Sequence, residues 1–359
     1  MINLFDQSIE VILNYQYPSG AYIASPSFKQ YTYCWFRDSS FIAYAMDLVG
    51  KHNSAQKFHN WAAETICRYE HVAERAIEKN RKKLRLGTND VLHARYTLDG
   101  SVGKGKWPSF QLDGLGTWLW ALREHTRLAN VDTLPTLWNR AVRIAANYLC
   151  HLWSLPNYDC WEEFGDKIHT YTLGAVYAGL RAVTQFLDKD IPTEDTASTI
   201  RETILTKCIN QDHLIKFIGI DKVDASLLGL STPYRLFEPI DPIMLNTVTH
   251  IENELRVNGG GVHRYDEDTY YGGGEWILLA AWLGWYYTEI GIIQKAQELL
   301  SWIEDQADER GNLPEQIPNS LIDHSYLQFW IKKHGTIACP LLWSHAKYII
   351  LVQALKNHS

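Results

Sequence analysis

Several features that would place a chain in a particular class are missing from this sequence. No stretch approaches the ~18 consecutive apolar residues of a membrane-spanning helix. Residues 1–6 show no basic segment followed by an apolar run, so no secretory signal is expected. The 359 residues carry a net charge of −7, and this acidic balance argues against a nucleic-acid or anionic-membrane partner.

Paired cysteines and the common metal or cofactor motifs are missing too. The six cysteines are scattered without a CxxC pair, which predicts free thiols in a reducing compartment, the cytoplasm. The 14 histidines include no HExxH and no close Cys/His cluster, so we expect no metal. Neither a Walker sequence nor a Gly-x-Ser-x-Gly motif is present, and no cofactor is expected.

What the chain has in excess is aromatic residues with polar edges. It contains 14 Trp and 20 Tyr against three Met. Indole N–H and phenol O–H groups want polar partners when buried, so part of this surplus must line a surface or cleft. The hydrophobic content of 46% supports a sizeable core, and 21% charged residues is ordinary for a globular protein.

Apolar residues recur at helical spacing along most of the chain. The predicted helices are 4–15, 36–49, 55–76, 112–128, 135–153, 171–187, 193–209, 243–255, 276–290, 293–303 and 341–355, with a shorter candidate at 224–230. Few alternating patterns lie between them, so the sequence predicts an all-α fold of about twelve helices.

The connections between these helices alternate in character. Short polar turns alternate with long loops rich in Gly, Tyr and Trp, which are 16–35, 86–111, 154–169, 257–275 and 309–339. Such loops are usually functional, and their alternation predicts a toroid of helical hairpins with one functional face. No linker is visible, so we expect one domain over residues 1–359. A stacked solenoid is the alternative, although no repeat of fixed period is seen.

Two acidic segments, 159–163 and 313–316, carry the chemistry. Each embeds a carboxylate, Glu162 or Glu315, in apolar or aromatic residues without a neighbouring base. Hydrolysis of a glycosidic bond needs one carboxyl as proton donor and a second to activate water or act as nucleophile. Trp161 would raise the pKa of Glu162 by excluding water. For either glutamate alone, a solvated loop position is the plain alternative.

The loop that ends at 31–38 carries groups suited to a pyranose ring. Arg37 and Asp38 can bond sugar hydroxyls, while Tyr31 and Trp35 offer flat apolar faces. The alternative is an Arg–Asp pair that caps the following helix. Two more segments of this kind are 107–114, which could simply lead into an Asp N-cap, and 261–276, which is dense in acidic and aromatic residues.

Together these segments resemble the glucoamylase family, glycoside hydrolase family 15, in the same order over nearly the whole chain. The specific matches are Trp-x-Arg-Asp at 35–38, Trp-Glu-Glu at 161–163, Arg-Tyr-x-Glu-Asp-Thr-Tyr-Tyr at 264–271, Pro-Glu-Gln at 314–316 and Trp-Ser-His-Ala at 343–346. The resemblance implies an (α/α)6 barrel of six inner and six outer helices. We expect neither an N-terminal β-sandwich nor a starch-binding module.

By this resemblance Glu162 is the general acid and Glu315 the general base. Inversion of the anomeric centre then implies carboxyls ~6.5–9.5 Å apart. The substrate-binding residues that we expect are Tyr31, Trp35, Arg37, Asp38, Trp107, Trp161, Glu163, Arg264, Asp268, Tyr271, Glu275, Trp276 and Trp343. His345 is expected to support the site without binding a metal.

The resemblance implies an inverting, exo-acting hydrolase that releases β-glucose from the non-reducing end of short isomalto- or malto-oligosaccharides. Glu275 stands where glucoamylases more often have proline, which leaves the linkage open. Trehalase and glucodextranase activities are alternatives within the family. A sugar phosphorylase, which would replace the base by a phosphate site, and a noncatalytic sugar-binding protein are alternatives outside it. The oligomeric state is not predicted.

Overall fold

The structure, a computed structural model, describes residues 3–187 and 189–358. Thirteen α-helices lie in these ranges, and α1 to α13 are Leu4–Asn14, Phe36–Leu48, His52–Arg68, Glu70–Arg81, Asp113–Leu128, Thr136–Leu152, Thr170–Val183, Thr193–Lys207, Pro242–Glu254, Ile277–Glu289, Ile293–Asp305, Ser325–His334 and Leu342–Lys356. Six short strands, β1 to β6, are Cys34–Trp35, Arg95–Tyr96, Ile209–Asn210, His213–Leu214, Glu275–Trp276 and Gln316–Ile317. The 3-10 helices are Lys29–Tyr31, Thr88–Asp90, Thr184–Phe186, Ala225–Leu230 and Tyr270–Gly272.

Five α-helices and one 3-10 helix form a closed inner ring. Around the ring, α2 packs on α5, α5 on α7, and α7 on the 3-10 helix Ala225–Leu230. That helix packs on α10, α10 packs on α13, and α13 returns to α2. Helix α10 is apolar around its whole circumference, and its residues 277–288 are all buried, as expected of a helix enclosed on all sides.

An outer layer of six helices covers the ring. The helices α3, α8, α9 and α11 pack against α2, α7, the 3-10 helix Ala225–Leu230 and α10, in that order. Helix α6 packs against α3, α5 and α7, and α1 packs against α13. The predicted toroid of six helical hairpins is confirmed, with one inner position taken by the short 3-10 helix.

The closest approach within the ring is between α5 and α7, and it requires glycine. A Cβ added to Gly116 would overlap the carbonyl oxygen of Ala175, and one added to Gly179 would overlap the carbonyl oxygen of Gly116. Two inner helices are therefore packed backbone against backbone.

Long loops lead from each outer helix to the next inner helix, so they gather at the amino-terminal ends of the inner ring. Short antiparallel ladders join them: β1 pairs with β2, and β5 pairs with β6. This arrangement confirms the prediction that the long loops share one face.

Two helix predictions were wrong. The predicted helix 55–76 is two helices, α3 and α4, which meet at Tyr69. The backbone of Tyr69 leaves the helical region, and its carbonyl oxygen accepts from Val72 and Ala73 to start α4. Helix α12 lies inside the predicted loop 309–339, and it contains no fully buried residue that would give an apolar face. The candidate at 224–230 forms a 3-10 helix.

None of the helices in the described ranges is long and apolar enough to cross a membrane. All six cysteines are free, as predicted, and three of them, Cys34, Cys160 and Cys208, are buried.

Candidate active site

The loops at the amino-terminal ends of the inner helices enclose a cavity of about 400 Å³. This volume falls in the range of ~300–1,000 Å³ for small-molecule sites. Both predicted catalytic residues, Glu162 and Glu315, line it. Ten predicted substrate-binding residues also line it: Tyr31, Trp35, Arg37, Asp38, Trp107, Trp161, Glu163, Arg264, Trp276 and Trp343.

One carboxylate oxygen of Glu162 is fixed by three donors. Its Oε1 accepts from the indole Nε1 of Trp35 at 2.7 Å, from Nε1 of Trp107 at 2.8 Å and from Nε2 of Gln111 at 3.1 Å. The indole Nε1 of the neighbouring Trp161 donates to Asp224 and not to this carboxyl. Within the described ranges no residue bonds Oε2, which leaves that oxygen able to hold a proton toward the cavity.

The backbone that carries Glu162 is strained. Its φ of +70° lies in the left-handed region, which few residues other than glycine adopt. Asp159 holds this conformation, since its Oδ1 accepts from the backbone N–H of Trp161 at 2.9 Å and of Glu163 at 2.8 Å. The carbonyl oxygen of Asp159 also accepts from the N–H of Glu162 at 3.0 Å. A closed loop therefore fixes the direction of the Glu162 side chain, as is common for strained residues at functional sites.

A buried lysine supports this loop from beneath. Lys216 Nζ lies 2.8 Å from Asp224 Oδ2, 3.8 Å from Asp159 Oδ2 and 3.1 Å over the ring centre of Tyr265. Burial raises the pKa of Asp159 to about 6, and Lys216 opposes that rise. Burial alone would raise the pKa of Asp224 also, but Lys216 and Ser226 hold it below its ordinary value. One cation therefore joins the groups that position Trp161 and Glu162.

Glu315 is held by a pair of tyrosine hydroxyls. Its Oε1 accepts from the hydroxyl of Tyr31 at 2.8 Å, and that hydroxyl lies 2.9 Å from the hydroxyl of Tyr270. Its Oε2 is buried and has no hydrogen-bond partner in the described part of the chain. Burial raises the pKa of Glu315 to about 8, while the Tyr31 hydrogen bond and the charge of Arg264 oppose the rise.

His345 supports the segment that carries Glu315. Its Nε2 accepts from the backbone N–H of Leu313 at 3.0 Å, and its Nδ1 lies 2.9 Å from Ser8 Oγ. Burial lowers the pKa of His345 to about 3, so the ring is neutral and Nδ1 donates to the serine. The neighbouring Ser344 donates to the carbonyl oxygen of Pro314 at 2.8 Å.

The first turn of α2 supplies a polar wall of the cavity. Arg37 Nε lies 3.2 Å from Asp38 Oδ1, and its Nη1 donates to Gln111 Oε1 at 2.9 Å and to Asp113 Oδ2 at 3.2 Å. Its guanidinium lies 5.3 Å from the ring centre of Trp343. No side chain caps α2, so these residues are not a helix cap. Burial raises the pKa of Asp38 to about 6, against the charge of Arg37.

A second arginine is held among aromatic rings. Arg264 Nε donates to Asp268 Oδ2 at 2.7 Å, and Nη2 donates to the other oxygen. Its Nη2 also lies 3.7 Å from Glu163 Oε1, while the Tyr265 hydroxyl donates to Glu163 Oε2. Four rings surround the guanidinium at 5.0–5.5 Å, those of Trp161, Tyr265, Tyr270 and Trp276.

Three of the predicted binding residues point away from the cavity. Asp268 is fully buried behind Arg264 and acts by holding it. Glu275 is buried in β5, where its Oε2 accepts from the backbone N–H of Gly261. Tyr271 is fully buried, and its hydroxyl donates to the carbonyl oxygen of Gly335. These side chains complete the loops around the cavity and do not form its wall.

Sequence reasoning missed several residues of the wall. Tyr270 lines the cavity in place of its neighbour Tyr271, whose φ of +52° turns the chain between them. The adjacent tyrosines in the sequence indicated an aromatic residue at this part of the wall, but only the backbone conformation decides which of the two rings faces the cavity. Trp330, Lys333 and His334 lie on the rim and belong to α12, which the sequence did not predict.

The family model for glycosyl hydrolases family 15 matches residues 3–309. The isomaltose glucohydrolase of Kribbella flavida is 37% identical over 351 residues, which are 96% of this chain and 90% of that protein. Trehalase 2 of Sulfolobus acidocaldarius is 25% identical over 387 residues, covering 91% of this chain and 63% of that protein.

A solved structure of a wild-type glycosidase superposes with a TM-score of 0.94 at 36% identity, covering 98% of this chain and 96% of the other. The relative from Kribbella flavida and this structure cover almost the whole chain, and the family model covers residues 3–309. The protein therefore belongs to glycosyl hydrolases family 15 and is an (α/α)6-barrel glycosidase of that family.

Proposed function

We propose that this protein is an inverting, exo-acting α-glucosidase that releases β-glucose from the non-reducing end of short oligosaccharides. The observation that carries the proposal is that Glu162 and Glu315 line one cavity, each with one oxygen fixed and the other free. The buried wall formed by Arg37 and Asp38 suits the hydroxyls of a terminal glucose, so a chain end enters rather than the middle of a polymer.

In this mechanism Glu162 is the general acid and Glu315 the general base. Oε2 of Glu162 donates a proton to the leaving oxygen, while Oε2 of Glu315 takes one from the water that attacks the opposite face of the sugar. Each step contributes ~10²–10⁴-fold. Inversion requires the two carboxyls to be ~6.5–9.5 Å apart, so that a water fits between the sugar and the base.

Isomaltose is the first substrate to test, because the relative from Kribbella flavida is named for it and matches 96% of this chain. Maltose and longer isomalto- and malto-oligosaccharides follow. α,α-Trehalose is the second candidate, since a relative that covers 91% of the chain is a trehalase.

The two roles are separated by a leaving group that needs no protonation. Glu162→Gln should lose nearly all turnover of isomaltose but keep substantial turnover of α-glucosyl fluoride, because fluoride leaves without a proton donor. Glu315→Gln should lose both activities, since water must still be activated. Exchanged behaviour of the two variants would reverse the assignment of acid and base.

The stereochemical outcome is followed by NMR of the first product formed. Inversion predicts that β-glucose appears first and then mutarotates, whereas initial α-glucose would contradict it. A rate that is independent of inorganic phosphate, with glucose and no glucose 1-phosphate as product, would separate the hydrolase from a phosphorylase. Failure to release glucose from any α-glucoside would support a noncatalytic sugar-binding role instead.

A further inference from the structure

A second group of polar side chains is enclosed at the other end of the barrel. Asp47 of α2, His59 of α3 and His125 of α5 are 3%, 0% and 1% exposed. One ligand-type atom from each lies within 4.8 Å of those of the other two. Asp47 and His125 are near the carboxyl ends of their inner helices, whereas the sugar cavity lies at the amino ends. The cluster is therefore separate from the glycosidase site.

The hydrogen bonds of this cluster are incomplete. Both oxygens of Asp47 lie 2.9 Å from Nδ1 of His125. Both ring nitrogens of His59 are buried, and neither has a hydrogen-bond partner in residues 3–187 and 189–358. Leaving a buried polar group without a hydrogen-bond partner destabilises the folded state. A fully buried imidazole with two such nitrogens needs an explanation.

The relative position of the two rings fits joint ligation. Imidazole nitrogens bind zinc at ~2.0–2.1 Å, so two rings on one tetrahedral ion have centres ~5 Å apart. The ring centres of His59 and His125 are 4.9 Å apart, with planes inclined by 41°. The carboxylate of Asp47 supplies the negative charge.

We propose that Asp47, His59 and His125 bind one divalent transition-metal cation of the zinc type. Two imidazoles and one carboxylate favour zinc or a similar borderline metal over magnesium or calcium, which take oxygen ligands. The ion ties two inner helices, α2 and α5, to the outer helix α3, and its role is to stabilise the barrel. His52, whose Nδ1 lies 2.8 Å from Asp47 Oδ1 and whose side chain is 39% exposed, marks the side from which an ion enters.

The sequence carries no signal for this site because its ligands are far apart along the chain and lie on three helices. A site of this kind has none of the short-spaced motifs by which metal centres are found. Packing of α2 against α3 and α5 alone brings the three residues together.

The test begins with untagged, full-length protein purified without chelators. Elemental analysis should find about one zinc or similar ion per chain. Protein stripped of metal should unfold at a lower temperature, and added zinc chloride should restore the midpoint, because a ligand that binds only the folded state stabilises it. The proposal would be overturned if the wild-type protein contains no metal and its thermal unfolding midpoint does not respond to zinc.

Two variants locate the ion. His59→Leu should lose the metal and the response to zinc, whereas His250→Gln should keep both. His250 belongs to a more exposed group with Asp212 and His213 that could take up zinc adventitiously. If His250→Gln loses the metal and His59→Leu keeps it, the buried site is refuted. If His59→Leu does not fold, cobalt loading of the wild type still decides, since nitrogen–oxygen ligation in a tetrahedral site gives visible absorption and its absence contradicts the site.

Discussion

Removing the hydroxyl of Tyr31 should change the pH dependence of the enzyme. As the proposed base, Glu315 works only when ionised, and burial raises its pKa to about 8, so activity should fall as the pH drops through that value. The Tyr31 hydroxyl, which donates to Glu315 Oε1 at 2.8 Å, opposes this rise. A hydrogen bond to a charged group is worth ~1.5–3 kcal/mol, and 1.36 kcal/mol corresponds to one pKa unit. Tyr31→Phe should therefore move the acid limb upward by about 1–2 pH units.

The measurement is kcat/KM for isomaltose as a function of pH, which reports the groups of the free enzyme. Below the limb, the rate of Tyr31→Phe should be about 10- to 100-fold lower than that of the wild type, and the difference should shrink at higher pH. Tyr33→Phe is the matched control, because the Tyr33 hydroxyl has no hydrogen bond within the described ranges while its ring meets Trp35 edge to face. An acid limb that stays in place in Tyr31→Phe, with only the plateau reduced, would refute the coupling of Tyr31 to the base.

Three further predictions concern the barrel and the acid loop. Lys347 is buried, and its Nζ has no hydrogen-bond partner in the described ranges, although it lies over aromatic rings. Burial lowers the pKa of Lys347, so at pH values below ~10.4 the unfolded chain binds a proton that the folded protein has released. The free energy of unfolding therefore rises with pH up to that value. Lys347→Met should stabilise the protein by about 1–3 kcal/mol at pH 7 in denaturant unfolding, and less at pH 10; a loss of stability would mean that the rings hold a charged lysine. Gly179→Ala should destabilise the protein by about 1–3 kcal/mol because its Cβ would overlap backbone atoms, whereas the tight contacts of a Cβ at Gly174 are with the Leu230 side chain; equal effects of the two substitutions would contradict the backbone contact. Asp159→Ala should lower kcat for isomaltose more than it raises KM, while Asp159→Asn, which keeps Oδ1, should retain most turnover; a loss only in KM would argue against a role in holding Glu162.

Periodicity predicted most of the helices because inner and outer helices both carry apolar residues at helical spacing. It failed where packing, not pattern, decides the structure. The break at Tyr69 interrupts a pattern that looks continuous. The 3-10 helix Ala225–Leu230 is entirely buried and short, so neither length nor alternation shows its type. Helix α12 has no fully buried residue and so lacks the signal itself.

The candidate site was predictable to the level of its segments, and less so to the level of single side chains. The sequence motifs predicted that Glu162 and Glu315 share one site, and both residues do line one cavity, since both belong to loops of the same face. The motifs cannot tell which of two adjacent residues faces the cavity. Tyr270 and Tyr271 show this, because the left-handed backbone of Tyr271 turns its ring away from the cavity. The motifs also do not show that a residue of a distant loop, Trp107, donates its indole N–H to Glu162.

The closed ring has a consequence for how the enzyme becomes active during folding. The first described helix, α1, packs on the last, α13, and the hydrogen bond between Tyr31 and Glu315 spans 284 residues. Contacts of such long range form late, because the entropy of closing the intervening chain must be overcome first. Helical hairpins can assemble one after another, but Glu315 meets Tyr31 only when the ring of helices is complete. Recovery of hydrolysis after dilution from denaturant should therefore lag behind recovery of helix, and the delay would measure the time of closure.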